Sequence, residues 1–119
     1  MHMREIFNKE LSLQQAGGNE SLARELLGML LKETPLLLAQ LRSALDTDDR
    51  QALWDHAHKI FGSTAYCGVP QLNRAARALE EAIKAELSVE VIADEIRALE
   101  EAFGALQSHT SELVSTPWS

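Results

Sequence analysis

The segment 55–68, with the sequence DHAHKIFGSTAYCG, contains the residues of this chain that could do chemistry. Its most reactive group is the imidazole of His58, which is followed one helical turn later by Gly62. Glycine inside a helix costs about 0.5–1 kcal/mol relative to alanine, so its presence indicates a close approach to the backbone. We interpret the pair as an exposed nucleophilic histidine beside a surface on which another protein docks.

A histidine that takes up a phosphoryl group needs solvent access, a hydrogen bond that orients its second nitrogen, and nearby positive charge. The candidates for the charge are Lys59, Arg74 and Arg77. The candidates for the hydrogen bond are Asn73 and Glu80, which line one flank of the next predicted helix. The chain thus contains residue types for all three requirements.

Other chemistries lack the residue patterns that they require. The chain has no Gly-rich phosphate-binding loop, so we expect no ATP site and no kinase activity of its own. Ser63 lacks the context of a nucleophile elbow, which argues against a hydrolase. No metal site is expected either, because His56 and His58 would point about 200° apart on a helix.

Composition indicates one globular domain. The chain has 119 residues, of which 45% are hydrophobic, and a formal net charge of −7. This acidity argues against binding of nucleic acid or of an anionic membrane through bulk charge. The single cysteine, Cys67, permits no intrachain disulfide and favours a reducing compartment. No apolar run approaches the ~20 residues that span a bilayer.

The start of the chain, Met-His-Met, has neither the charged nor the apolar region of a signal peptide. We interpret residues 1–5 as a cloning remnant and a disordered start. On this interpretation the chain is an excised domain, whose parent protein could still be anchored in a membrane.

Capping residues and apolar periodicity predict five helices and no strand. The first helix is short and covers 9–16. The second covers 20–45, and Pro35 is expected to kink it or to divide it in two. The third covers 50–67 and ends at Gly68. The predicted capping residues are Asn8, Asn19, Asp48 or Asp49, and Ser88.

The fourth helix covers 71–87, and the last runs from Ser88 to about Leu113. These elements predict an all-α fold, an antiparallel up-down four-helix bundle with a short additional N-terminal helix. The bundle is expected to span 6–114 and a flexible tail 115–119. The residues expected to face the core include Leu22, Leu26, Met29 and Leu30 in the second helix and Leu53, Ala57 and Ile60 in the third.

Part of the chain resembles the signature of histidine-containing phosphotransfer (HPt) domains. The matching residues are Ala57, His58, Lys59, Ile60, Phe61, Gly62, Ser63, Gly68, Leu72, Leu79 and Glu80. The resemblance extends over residues 7–103. The stretch 58–70 is especially similar to the C-terminal HPt domain of Gac/Bar-class hybrid sensor kinases of gamma-proteobacteria.

The resemblance implies a phosphorelay intermediate. His58 would accept a phosphoryl group from an aspartate of a receiver domain and pass it to the receiver aspartate of a response regulator. Gly62 would be the docking glycine and Glu80 the residue that orients the imidazole, with Lys59 and Arg77 in the phosphoryl environment. No cofactor is expected in this domain, because Mg²⁺ would belong to the partner receiver.

One position departs from the family pattern. The family usually has lysine just before the glycine, where this chain has Phe61. Lys59 could carry that charge, although on a helix it points about 100° away from the preceding residue. Alternatively, Phe61 belongs to an apolar docking patch with Trp54 and Ala65. On pattern alone it fits the core and the docking surface equally well.

The departure keeps a second function open, that of a non-catalytic helical docking module for receiver or other signalling domains. On either hypothesis we expect a monomer, because one face must stay free for docking. We also expect no contact with nucleic acid or membrane and a cytoplasmic location, either free-standing or as the cytoplasmic tail of a membrane-anchored hybrid sensor kinase.

Overall fold

Helices account for most of residues 3–118, the part of the chain that this computed structural model describes. A short 3-10 helix, Thr64–Tyr66, continues from the end of α4. The α-helices are α1 Met3–Ile6, α2 Lys9–Gln15, α3 Glu20–Asp46, α4 Arg50–Ser63, α5 Pro70–Lys84 and α6 Val89–Thr110.

Four of these helices begin at predicted capping residues. The side chains of Asn8, Asn19 and Asp49 each accept a hydrogen bond of 3.0 Å from the backbone N–H three residues later. Ser88 does the same for α6 at 3.3 Å. The predicted caps are confirmed. Each cap contributes about 1 kcal/mol and joins residues only three positions apart, so the starts of these helices follow from the local sequence.

Helices α3, α4, α5 and α6 form the bundle. Each packs against two of the others, α3 on α4 and α6 and α5 on α4 and α6, so the four close around one core. Short connections make consecutive helices antiparallel, which confirms the predicted all-α bundle. Within residues 3–118, no helix combines the length and apolar character needed to cross a membrane.

The predicted core face of α3 was wrong at two positions in its first half, whereas Leu30 is buried as predicted. Leu22 and Met29, expected in the core, are 40% and 48% exposed, whereas Ala23 and Leu27 are fully buried. The cause is the breadth of the apolar surface of this helix, since leucines occur on several faces and periodicity alone does not select one. The buried alanine lets the neighbouring helices approach closely at this level.

Pro35 does not divide α3, so of the two predicted effects, a kink or a division, the division was wrong. The helix continues from Glu20–Asp46 through the proline, leaving a bend within one helix as the alternative. Proline lacks an N–H, and the hydroxyl of the preceding Thr34 donates to the carbonyl of Leu30 at 2.6 Å. Burial of Leu37 and Leu41 just beyond offsets the missing backbone hydrogen bond.

Both ends of the described chain are more ordered than predicted. Residues 3–5 belong to α1 and not to a disordered start. In the expected flexible tail, Trp118 is only 5% exposed and packs edge-on against Phe7, with ring centroids 5.5 Å apart. Its indole N–H donates to the carbonyl of Leu113 at 2.6 Å, and its own carbonyl accepts from Lys9 at 2.7 Å. Residues 1, 2 and 119 lie outside the described part.

The turn after α4 is built on Gly68. Its φ of +63° lies in the left-handed region that favours glycine. Its N–H donates to the side-chain oxygen of Gln15, and its carbonyl accepts from the N–H of Asn8, both at 2.8 Å. These bonds anchor α2 on the turn between α4 and α5.

Candidate functional site

His58 projects from α4 into solvent. The inner face of this helix is buried and consists of Leu53, Ala57 and Ile60, which leaves the histidine on the outer side beside α5. Its side chain is 61% exposed, and its Nδ1 lies 3.2 Å from Oε2 of Glu80, whose side chain is 18% exposed. The structure thus brings together the predicted nucleophile and one of its predicted orienting residues.

The hydrogen bond between His58 and Glu80 selects a tautomer of the neutral imidazole. An ionised carboxylate only accepts hydrogen bonds, so the proton sits on Nδ1 and is donated to Glu80. The lone pair is then on Nε2, at the other side of the ring. An exposed imidazole with this tautomer can attack an electrophile through Nε2.

A second contact crosses the same seam one helical turn away. The guanidinium carbon of Arg77 lies 5.7 Å from the centre of the Phe61 ring, within the range of a cation–π interaction. Because α4 and α5 are antiparallel, Phe61, three residues after His58, lies opposite Arg77, three residues before Glu80. Phe61 is half-buried against the core, so it belongs both to the core edge and to the surface.

Trp54 lies one turn before His58 and stacks on it. The two ring centroids are 5.3 Å apart and the ring planes differ by only 13°. Trp54 was predicted only as part of a docking patch, although its four-residue spacing from His58 on one helix was the signal that could have revealed this stack. An open groove of about 610 Å³ begins beside it, lined by Arg50, Gln51, Trp54, Ile83, Lys84 and Glu86.

Gly62 leaves a bare patch of helix one turn after His58. A Cβ atom added there would meet nothing within 4 Å, and its φ is not in the left-handed region. Neither the packing of this domain nor its backbone conformation therefore requires glycine. Ala65, also expected on the docking surface, is exposed in the 3-10 helix that follows.

The other predicted cations lie elsewhere. Lys59 lines a groove beside α3 with Leu36 and Gln40, on a different side of α4 from Glu80. Arg74 forms an ion pair with Glu5 of α1. Arg77 is therefore the predicted cation that the structure holds beside the seam between α4 and α5.

Two further polar candidates do not contact the imidazole. Asn73, an alternative orienting residue, donates instead to the hydroxyl of Thr64 at 2.7 Å. Cys67 is 2% exposed, and its burial raises the pKa of the thiol to about 11. Among residues 3–118, no group of three or more histidine, cysteine, aspartate or glutamate residues is arranged to hold a metal ion.

Comparison with known proteins matches the sequence to one family. Residues 25–109 match the family described as Hpt domain. The chain is 33% identical over 82 residues to the sensor histidine kinase GacS of Pseudomonas protegens, which covers 69% of this chain. It is 31% identical over 90 residues to the histidine-protein kinase BarA of Escherichia coli K12, which covers 76% of it.

A solved structure agrees over nearly the whole chain. The crystal structure of the HPt domain from a sensor hybrid histidine kinase of Shewanella superposes with a TM-score of 0.86 at 30% identity. The match covers 98% of this chain and 99% of that one. By contrast, the chain spans only 9% of the length of the GacS relative and 10% of the BarA relative.

Proposed function

This chain belongs to the Hpt domain family and is homologous to phosphorelay domains of hybrid kinases, and we propose that His58 is the residue that carries the phosphoryl group. The observation that carries the proposal is the hydrogen bond between the exposed His58 and the half-buried Glu80. The carboxylate accepts from Nδ1 and so leaves the lone pair on Nε2. The exposed Gly62 beside it gives a partner access to the ring.

This tautomer allows phosphoryl transfer without moving the proton on Nδ1. Nε2 of His58 attacks the phosphorus of an aspartyl phosphate, the P–O bond breaks, and the aspartate leaves as a carboxylate. The ring now carries the phosphoryl group on Nε2 and the proton on Nδ1, and its positive charge is paired with Glu80. The return step reverses these changes on the aspartate of a second receiver.

Arg77 supplies positive charge beside the path of the phosphoryl group. Its guanidinium is held over Phe61, one turn from His58, where the family usually has a lysine in the helix itself. Guanidinium groups bind phosphoryl oxygens well because they donate several hydrogen bonds in a fixed plane. We therefore propose that the Phe61–Arg77 pair replaces the family's lysine.

The partners in this proposal are two receiver domains, one in a hybrid kinase and one in a response regulator. Mg²⁺ is required in the acidic pocket of the receiver, and this domain needs no cofactor of its own. We further propose that the domain acts as a monomer in the cytoplasm, without contact to nucleic acid or membrane, because docking requires the seam between α4 and α5 to stay uncovered.

A second candidate function is a docking module that binds receivers without accepting phosphate. The observation that favours it is the apolar character of the seam, where Trp54 and Phe61 flank His58. Docking alone would not require the hydrogen bond between His58 and Glu80, which is why we rank it second.

The test is phosphotransfer from a phosphorylated receiver domain to this chain. Wild type, His58→Gln and, as a matched control on the same helix, His56→Gln are incubated with the receiver, and acid-labile, base-stable label is followed. We expect label on the wild type and on His56→Gln, but not on His58→Gln. Label on His58→Gln would assign another histidine, and binding without label on any variant would favour the docking module.

A further inference from the structure

We propose that Trp54 is a positioning residue for His58, which holds the plane of the imidazole so that Nε2 faces an incoming phosphoryl group. The inference rests on the proposed function of His58. It changes the role of Trp54 from a docking contact to a part of the reacting site.

The stack supplies a restraint that the hydrogen bond alone does not. Glu80 restrains Nδ1 through a single hydrogen bond of 3.2 Å, which leaves the imidazole some freedom of rotation about χ1 and χ2. The nearly parallel indole of Trp54, at 13° and 5.3 Å, removes this rotation because a tilted ring would lose the contact. Together the two residues define both the position and the plane of the imidazole.

Trp54 is itself held in place. Its side chain is half-buried and packs against the hydrophobic core, with Ile83 of α5 lining the same groove. A fully exposed aromatic residue would move with the histidine and would restrain it little. Because the indole is anchored on the core, it provides a fixed surface on which the imidazole stacks.

The arrangement leaves one side of the histidine accessible. Trp54 occupies the position one turn before His58, and Gly62, one turn after it, presents no side chain. A partner therefore approaches the ring from the side of Gly62. The lone pair of Nε2 lies in the plane of the ring, so an imidazole held parallel to the indole keeps that lone pair uncovered on a side chain that is 61% exposed.

The indole also favours the charge that develops during transfer. As the bond between phosphorus and Nε2 forms, the imidazole ring gains positive charge while it keeps its proton on Nδ1. An aromatic face attracts a cation stacked on it, and tryptophan does so more strongly than phenylalanine or tyrosine. The contact is therefore stronger in the reacting state than in the neutral ground state, which is the condition for accelerating a step.

Kinetics of transfer from a phosphorylated receiver separate positioning from docking. We expect Trp54→Leu to lower the maximal rate about tenfold while the half-saturating receiver concentration changes less than about twofold. Trp54→Phe keeps an aromatic face and should retain the rate within about threefold. An unchanged maximal rate with a raised half-saturating concentration would overturn the inference and return Trp54 to the docking surface.

A spectroscopic measurement tests the stack without any transfer. The ring protons of His58, assigned by comparison with His58→Gln, should resonate upfield because the indole stacks nearly parallel to the imidazole, and should move downfield in Trp54→Leu. A Trp118→Phe background leaves one tryptophan, whose fluorescence should change on phosphorylation of His58. Unshifted histidine resonances would overturn the inference, whereas failure of the wild type to accept label would overturn the proposed function.

Discussion

The carbonyl of Gly68 accepts a hydrogen bond from the backbone N–H of Asn8, and a Cβ on that glycine would lie 2.5 Å from the carbonyl oxygen of the same asparagine. The turn between α4 and α5 therefore touches the start of α2 backbone to backbone. No side chain fits between them, and separating the two segments breaks the hydrogen bonds that Gly68 makes with Asn8 and Gln15.

We predict that Gly68→Ala lowers the free energy of unfolding by at least about 3 kcal/mol, because it combines a left-handed φ with a backbone clash. Gly17→Ala is the matched control, since Gly17 has a φ of +67° and nothing within 4 Å of its Cβ position. The control should lose about 1 kcal/mol by urea denaturation. Equal losses in the two variants would show that the close approach at Gly68 is not rigid.

Gly62→Ala should separate stability from transfer. Both Gly62 and Gly104 lie inside helices with open space at their Cβ positions. Replacing either glycine by alanine should therefore raise the free energy of unfolding by up to about 1 kcal/mol. Only Gly62→Ala should slow transfer from the receiver, by raising the half-saturating concentration. If Gly104→Ala slowed transfer equally, the effect would come from helix stiffness and not from the docking surface.

Replacement of Glu80 should slow transfer through the orientation of His58. Glu80→Ala removes the acceptor for Nδ1–H, and we expect a fall in maximal rate on the order of tenfold. Glu80→Gln keeps an acceptor oxygen and should be less affected. Glu81→Gln, at an exposed neighbouring position, is the control. A rate unaffected by Glu80→Ala would mean that the hydrogen bond does not contribute to transfer.

The ion pair between Arg42 of α3 and Glu100 of α6 should make stability depend on pH. Hydrogen bonds of 3.0 and 2.7 Å from Arg42 hold the pKa of Glu100 below its ordinary value. A carboxylate with a lowered pKa stabilises the fold above its unfolded pKa, and this contribution is lost as pH falls through the folded value.

We therefore expect Glu100→Gln to lose about 0.5–1 kcal/mol at neutral pH, a modest amount because both side chains are partly exposed. The difference from wild type should shrink below about pH 4, as the wild-type carboxylate becomes protonated. Thermal unfolding across this range measures it, with exposed Glu101→Gln as the control. A difference that persists at low pH would indicate lost packing and not lost charge.

Cys67 should resist thiol reagents in the folded protein. The thiolate is the reactive form, and burial raises the pKa of this thiol to about 11 while also blocking access. At pH 8 we expect labelling by a chromogenic disulfide reagent only on unfolding, with a rate that rises in urea. Rapid labelling without urea would reveal local opening of the turn before Gly68.

The sequence predicted most of what depends on local contacts. Asn8, Asn19 and Ser88 cap their helices through residues three positions away, so their roles are visible in the chain itself. The spacing of Leu53 and Ile60 likewise located the inner face of α4. These features follow from helix geometry, which the sequence encodes directly.

Contacts between distant segments were harder to predict. The packing of Trp118 on Phe7 joins residues at opposite ends of the chain, and no local pattern marks it. Arg74 was a candidate for the positive charge beside His58, whereas the structure pairs it with Glu5 of α1. Both errors arise because a side chain's environment is set by which elements the fold brings near it.

The contact between Phe7 and Trp118 nearly closes the polypeptide into a ring. Joined by a short linker between these ends and opened at the Asp48 turn, the same helices would form a circular permutant with an unchanged seam between α4 and α5. Tethers attached at both ends would leave the domain from one place.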